Sequence, residues 1–196
     1  MTEHPAPDAV RRANEGPRAA ARNRAALVGA AREIYAQHGL AAPLSAIARR
    51  AGVGQGVLYR HFPDRAAIAA AVLEENVRQV EQAAAAEGAT AATVLGVLTW
   101  HLTESAAFIG LLHADSAISP RGTAPHALAL SERVERALRG HAPYGGRLHT
   151  TGDLMLAVAM VSGAVTGPTR EERERRARVA WHLLGVEADP VRPHEE

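Results

Sequence analysis

The chain of 196 residues contains no cysteine and no lysine. Without cysteine there is no disulfide framework and no thiol chemistry, which fits a reducing compartment. Without lysine there is no glycine-rich phosphate loop completed by that residue, and no GxSxG or HExxH motif occurs either. The ten histidines are scattered. His101 with Glu104 and His113 with Asp115 are the only suggestive pairs, and neither belongs to a cluster of known metal-ligand spacing. The expectation is a protein that is not an enzyme and holds neither metal nor cofactor. No apolar run approaches the ~20 residues that would span a membrane, and the N-terminal stretch MTEHPAPDAVRRANEGPRAAARNR lacks the apolar core of a secretory signal. A cytoplasmic protein with no membrane partner is expected. No repeat and no strand-like alternation stands out, which leaves an all-α fold.

What is present is concentrated in residues 44–65, LSAIARRAGVGQGVLYRHFPDR. Leu44, Ile47, Ala48 and Ala51 are spaced for one buried face of a short helix over 44–51. Gly52, Val53 and Gly54 then make a turn where glycine supplies backbone angles that other residues resist. A second short helix over 55–62 points Leu58 and Phe62 one way. This pattern predicts a helix-turn-helix whose second helix lies in a DNA major groove. Gln55 and Gly56 sit at the end of that helix that reaches base edges. Glutamine can bond adenine through two hydrogen bonds, and glycine leaves room for close approach. Tyr59, Arg60 and His61 offer donors for phosphate oxygens. The competing reading is an ordinary helical hairpin in a core. Such a hairpin has no need of Arg49, Arg50, Arg60 and Arg65 around so short a turn.

The stretch IARRAGVGQGVLYRHFPDRAAI resembles the signature of the TetR family of bacterial transcriptional regulators. Ile47-Ala48, Ala51-Gly52-Val53, Leu58-Tyr59-Arg60-His61-Phe62 and Arg65 carry the resemblance, which extends over residues 25–73. One departure is Pro43, which stands where a hydroxyl residue often caps the first motif helix and touches phosphate. Ser45, two residues on, offers a hydroxyl instead. The resemblance implies a DNA-binding head, a helical second domain in which an effector binds between the middle helices, and a four-helix dimer interface built from the last two helices of each subunit.

Charge is distributed as such a protein requires. Residues 1–65 hold ten arginines against five acids, while the whole chain carries only +1, so the remainder is net acidic. A basic front and an acidic back suit a protein that meets DNA with one end. The exclusive use of arginine favours bidentate phosphate contacts. Genome base composition is the favoured explanation, since lysine is absent everywhere and alanine is abundant.

Four segments are expected. Residues 1–20 read as a disordered basic arm, either reaching an adjacent minor groove or without consequence. Residues 21–65 read as the helix-turn-helix domain, with Leu27, Val28, Ala31, Ile34 and Tyr35 on the inner face of a helix ending at Gly39. Residues 66–187 read as a helical regulatory and dimerisation domain, and residues 188–196 as a frayed tail. Asp64 should cap a long helix over 65–87, whose first turn and Arg65 could hold a phosphate. Helices over 90–104, through Leu111-Leu112-His113, and over 124–140, 153–167 and 169–185 follow. Thr169 and Glu172 are spaced as a capping box for the last of these.

Within the second domain, Trp100, His101, Phe108, Leu111, Leu112, His113, Met155 and Met160 are candidates for an effector pocket, mixing apolar, aromatic and polar groups. Leu154, Val158, Val161, Val165, Trp181 and Leu184 are candidates for the dimer interface, with Trp181 as anchor. The expected function is a TetR-like regulator, a homodimer acting as a repressor on an inverted-repeat, double-stranded DNA operator and released by a small-molecule effector. The alternative is a DNA-organising or adaptor protein of the same fold without effector control.

Overall fold

A computed structural model describes residues 7–104, 124–141, 148 and 150–193. Among these residues the chain forms eight helices and no strand: α1 (Pro7–His38), α2 (Leu44–Arg50), α3 (Gln55–His61), α4 (Arg65–Ala85), α5 (Ala91–Glu104), α6 (Ala124–Arg139), α7 (Thr151–Ala164) and α8 (Arg170–Leu183). The fold is all-α, with an N-terminal helix-turn-helix module and a helical C-terminal domain.

Two apolar cores organise it. The first joins α1, α2, α3 and the start of α4, and runs from Leu27 to Val72. Leu27, Ala31 and Tyr35 of α1, Ile47 of α2, Leu58 of α3 and Ile68 of α4 are all buried in it. The spacing of these residues places one face of each short helix inward, and burial of such side chains stabilises by ~1.5–3 kcal/mol each. The second core begins at Val77 of α4 and extends through α5, α6, α7 and α8 to Ala188. α4 therefore belongs to both. The change from one core to the other falls between Val72 and Val77, not at the expected boundary of 65/66, because the first two turns of α4 cover the three-helix module.

α4 is fixed at both levels. Asp64 accepts a hydrogen bond from the Ala67 amide at 2.8 Å, the cap expected at this end. Further along, Arg133 of α6 bonds Glu74 and holds Glu81 through two nitrogens at 2.6 and 2.8 Å. Glu74 and Glu81 lie two turns apart on one face of α4, so one guanidinium grips both. These bonds, Glu81 first, raise the Arg133 pKa, and the same guanidinium lowers that of Glu81.

Three expectations about the ends of elements are corrected. First, α1 begins at Pro7 and passes through Pro17, so residues 7–20 of the expected disordered arm are helical. Alanine and arginine, strong helix formers, dominate the turns after Pro17. Second, α7 begins at Thr151 under a complete capping box: Thr150 Oγ1 accepts from the Asp153 amide at 3.0 Å, and Asp153 Oδ2 from the Thr150 amide at 2.9 Å. The box expected for α8 is only half formed. Thr169 Oγ1 accepts from the Glu172 amide at 3.2 Å, but the Glu172 carboxylate turns to Arg175 and Arg176. Those two guanidinium groups hold its pKa at about 2.

Third, the tail is not frayed at residue 188. Val186 and Ala188 are buried, and the Val191 amide donates to the Gly96 carbonyl of α5 at 3.0 Å. The apolar residues Val186, Ala188 and Val191 make this segment a strap across α5. Gly96 is what lets it pass: a Cβ there would stand 2.6 Å from the Asp189 carbonyl oxygen and 2.7 Å from Val191 Cγ2. Gly96→Ala is expected to lift the strap. The clash costs ~1–3 kcal/mol, against a gain of only about 1 kcal/mol in helix propensity. Loss of hydrogen-exchange protection at the Val191 amide checks this, and retained protection would contradict it.

The expected dimer anchors are also relocated. Leu154, Val158, Val161, Val165 and Trp181 are all buried within one subunit, and Leu184 is half-buried against the same core. Trp181 Nε1 donates to Thr99 Oγ1 at 2.8 Å in the interior. These residues hold α7 and α8 to α5, and of the six only Leu184 keeps part of its side chain exposed.

Candidate DNA-binding face

The recognition face is set by what lies behind it. The Val53 amide bonds the Ala48 carbonyl at 3.0 Å and the Gly52 amide bonds the Arg49 carbonyl at 3.2 Å, closing α2. Gly52 takes φ +69, a left-handed angle that residues with a Cβ resist. This reverses the chain within three residues and starts α3 across α2. Leu58 and Phe62 are buried, which fixes the rotation of α3 about its axis. Gln55, Gly56, Tyr59 and Arg60 then face solvent together, and His61 is half-buried. Tyr59 is 51% exposed.

Gly56 has no packing reason to be glycine, since a Cβ there would meet nothing within 4 Å. Glycine inside a helix costs ~1 kcal/mol relative to alanine, and no contact among the described residues offsets this. Arg60 Nε donates to the Gly56 carbonyl at 3.2 Å, which draws its guanidinium back along the exposed face.

The flanking helices are arranged less uniformly. Pro43 stands at the N-cap of α2 and provides no side-chain cap, and Ser45 is exposed in the first turn. Arg65 differs from its expected role. Its Nη1 bonds the carbonyls of both Leu40 and Ala42, tying the start of α4 to the loop between α1 and α2. Only its remaining N–H groups are left for a phosphate. Asp64 already caps the first turn of α4, so a phosphate there would meet a carboxylate. Arg50 pairs with Glu33 at 2.6 Å, while Arg49 is exposed. Arg24, not singled out from sequence, stacks over the Phe62 ring at 5.5 Å. Only its separation from Phe62 across the module hid it, since cation–π pairing leaves no local pattern.

The regulatory candidates separate in space. Trp100 and His101 are buried on α5, with ring centroids 5.0 Å apart and nearly perpendicular. Burial, with the Arg32 charge added, pushes the His101 imidazole well below its usual pKa. Met155 is half-buried against the second core. Met160 is 56% exposed, on the outer face of α7. Phe108, Leu111, Leu112 and His113 lie outside the described residues, as does the helix expected through the last three.

On that outer face the apolar surface continues. Leu156 and Met160 on α7 are joined by Val179 and Leu183 on α8, and Leu156 and Leu183 are 63% and 78% exposed. Each pair is four residues apart, one turn along its helix. Among the described residues, no helix is long and apolar enough to cross a membrane.

Comparison with known proteins agrees with this architecture. Residues 27–72 match the family described as bacterial regulatory proteins, tetR family. No curated protein matches the chain. A TetR transcriptional regulator from Streptomyces coelicolor is 24% identical, with a TM-score of 0.53 over 84% of this chain and 99% of that one. A TetR transcription regulatory protein from Mycobacterium vanbaalenii is 30% identical, with a TM-score of 0.50 over 87% of this chain and 99% of that one. With that identity over nearly the whole of the relative, and with the helix-turn-helix formed as described, the chain belongs to the TetR family of bacterial transcriptional regulators.

Proposed function

We propose that the protein is a homodimeric repressor that binds an inverted-repeat operator through α3 and releases it when a small molecule occupies the helical domain. The observation that carries the DNA-binding part is the outward face of α3. Gln55, Gly56 and Tyr59 are presented together by the burial of Leu58 and Phe62. Gln55 reads a base edge, and Gly56 admits the groove wall. Tyr59, Arg60, His61 and Ser45 meet phosphates, with Arg65 chiefly positioning α4. Of the arginines of α1 beyond residue 16, Arg18, Arg22 and Arg24 are exposed and extend the basic surface.

The dimer forms through Leu156, Met160, Val179 and Leu183. Two such subunits set their recognition helices about one DNA turn, ~34–36 Å, or somewhat more apart. Effector binding need only favour the arrangement in which the heads no longer match that spacing.

Selection of bound sequences from a random DNA pool tests the reading. A single inverted repeat, preferred by ~10³-fold or more over random DNA, is the expected result. Recovery of no consensus, with a steep salt dependence, would favour a DNA-organising protein instead. On the selected operator, Gln55→Ala is expected to relax preference at one base pair per half-site, by ~1–3 kcal/mol. Tyr59→Phe should weaken all sequences alike. Equal losses from both variants on every sequence would contradict these roles.

A further inference from the structure

The end of the chain builds a surface that the helices alone do not. α8 closes where the Gly185 amide bonds the His182 carbonyl at 2.9 Å and the Val186 amide bonds the Trp181 carbonyl at 3.0 Å. This paired closure ends the helix and turns the chain back. Along the strap that follows, burial alternates. Val186 and Ala188 are buried while Glu187 and Asp189 are exposed, as in an extended segment lying on a surface. The strap runs back beside α8. His182 Nδ1 lies 3.3 Å from Glu187 Oε1, and Arg178 Nε lies 3.8 Å from Asp189 Oδ1.

A groove of about 300 Å³ is left between α8 and the strap. Val179 and Leu183 on α8 and Ala188 on the strap give it an apolar lining, and both ion pairs border it. Val179 and Leu183 are also half of the exposed apolar face already described, so face and groove are one continuous surface. The other half of that face, Leu156 and Met160, stands on α7, which packs beside α8.

Four apolar side chains are too few for a stable interface, which uses about 20–30 residues a side. The contact must spread onto adjoining surface, and the groove adjoins. A two-fold axis sets this surface against its own copy, and so can bring the α7 ridge of one subunit to the groove of the other. Within α7 the only charged residue is Asp153, in the first turn. The ridge therefore enters without burying a charge. The ion pairs of the strap stay at the edge, as a polar rim around an apolar centre.

Gly163 fits the same arrangement. It lies three residues beyond Met160, on the same exposed face of α7. A Cβ there would meet nothing within 4 Å among the described residues, and glycine inside a helix is unfavourable relative to alanine. The subunit gains nothing from it. At Gly96, by contrast, the missing Cβ is what lets the strap cross α5. A strap arriving from a second subunit would need the same clearance on α7.

We propose that the C-terminal strap, residues 186–191, is part of the dimer interface, and that its groove with α8 receives the Leu156–Met160 ridge of a second copy of this chain. This rests on the reading of the protein as a dimer through α7 and α8, and carries that interface onto the end of the chain.

The test exploits the absence of cysteine from the sequence. Met160→Cys and Glu187→Cys are placed together in the full-length protein, which is oxidised and run without reductant. Both positions are exposed, so the fold tolerates them. A disulfide forms only where Cα atoms come within about 7 Å. Severalfold more cross-linked dimer is expected than from either single variant, or from Glu187→Cys paired with Leu128→Cys, an exposed position on α6. Sedimentation of Gly163→Leu supplies a second readout. Its helix content should match the parent, while its dimer dissociation constant rises about tenfold or more. Cross-linking no greater than in the controls, or unchanged association of Gly163→Leu, would overturn the proposal. Leu156→Glu combined with Leu183→Glu separates the two levels. If that variant is monomeric while the cysteine pair fails, the strap alone is excluded. If it stays dimeric, the reading of α7 and α8 as the interface falls as well.

Discussion

Glutamate at both Leu156 and Leu183 is expected to convert the dimer to a monomer and to weaken operator binding by about 10²–10⁴-fold. The two side chains are the most exposed of the large apolar residues on α7 and α8, at 63% and 78%. Within one subunit they contribute little to packing, so the helical fold should persist. Across a two-fold axis the same face meets itself. Four carboxylates would then be brought together in an apolar seam, where desolvation and like-charge repulsion both oppose association. The loss on DNA follows from geometry. Each half-site contact survives, but the second is no longer delivered at high effective concentration. Sedimentation and operator titration read the two effects together. A double variant that remains dimeric would show that this face is not the interface. One that is monomeric yet binds the operator undiminished would show that dimerisation is not needed for recognition.

The helix-turn-helix was legible in the sequence because its signals are local. Ile47 and Ala48, then Leu58 and Phe62, repeat at helical spacing around Gly52, and each is buried as that spacing requires. The cap of α4 by Asp64 is local in the same sense. What could not be read is which partner an apolar residue meets. In α7 apolar side chains fall on nearly every face, so periodicity does not divide Leu154, Val158 and Val161, which face inward, from Leu156 and Met160, which face outward. In α8 the division was present but unread: Ala177, Trp181 and Leu184 form one stripe, Val179 and Leu183 another. The strap over Gly96 and the grip of Arg133 on Glu74 and Glu81 depend on contacts between residues far apart in the chain, and no local pattern announces them. Arg65 shows the opposite limit. Its place in the motif is clear, yet its guanidinium is committed to the Leu40 and Ala42 carbonyls, a destination that only the folded loop between α1 and α2 defines.

Trp181→Ala is expected to destabilise the subunit by ~3–5 kcal/mol, the range for emptying the site of a large buried aromatic side chain. The indole is fully buried in the second core, and its N–H reaches Thr99 on α5, 82 positions earlier in the chain. Its removal leaves a cavity between α8 and α5. Thr99 keeps its bond to the Leu95 carbonyl at 2.6 Å, so the cost is chiefly lost packing and not a stranded hydroxyl. For a chain of this length the loss corresponds to a fall of roughly 10 °C or more in Tm. Trp181→Phe should recover most of it, since the phenyl ring refills much of the volume and forfeits only the bond to Thr99. The measurement that decides the matter compares thermal melting with subunit association. A core tryptophan lowers Tm even where the protein is fully dimeric, and raising the protein concentration does not restore it. If Trp181→Ala instead melted like the parent and dissociated into folded monomers, the side chain would be an interface anchor after all, and the assignment of Leu156, Met160, Val179 and Leu183 to that role would fall with it.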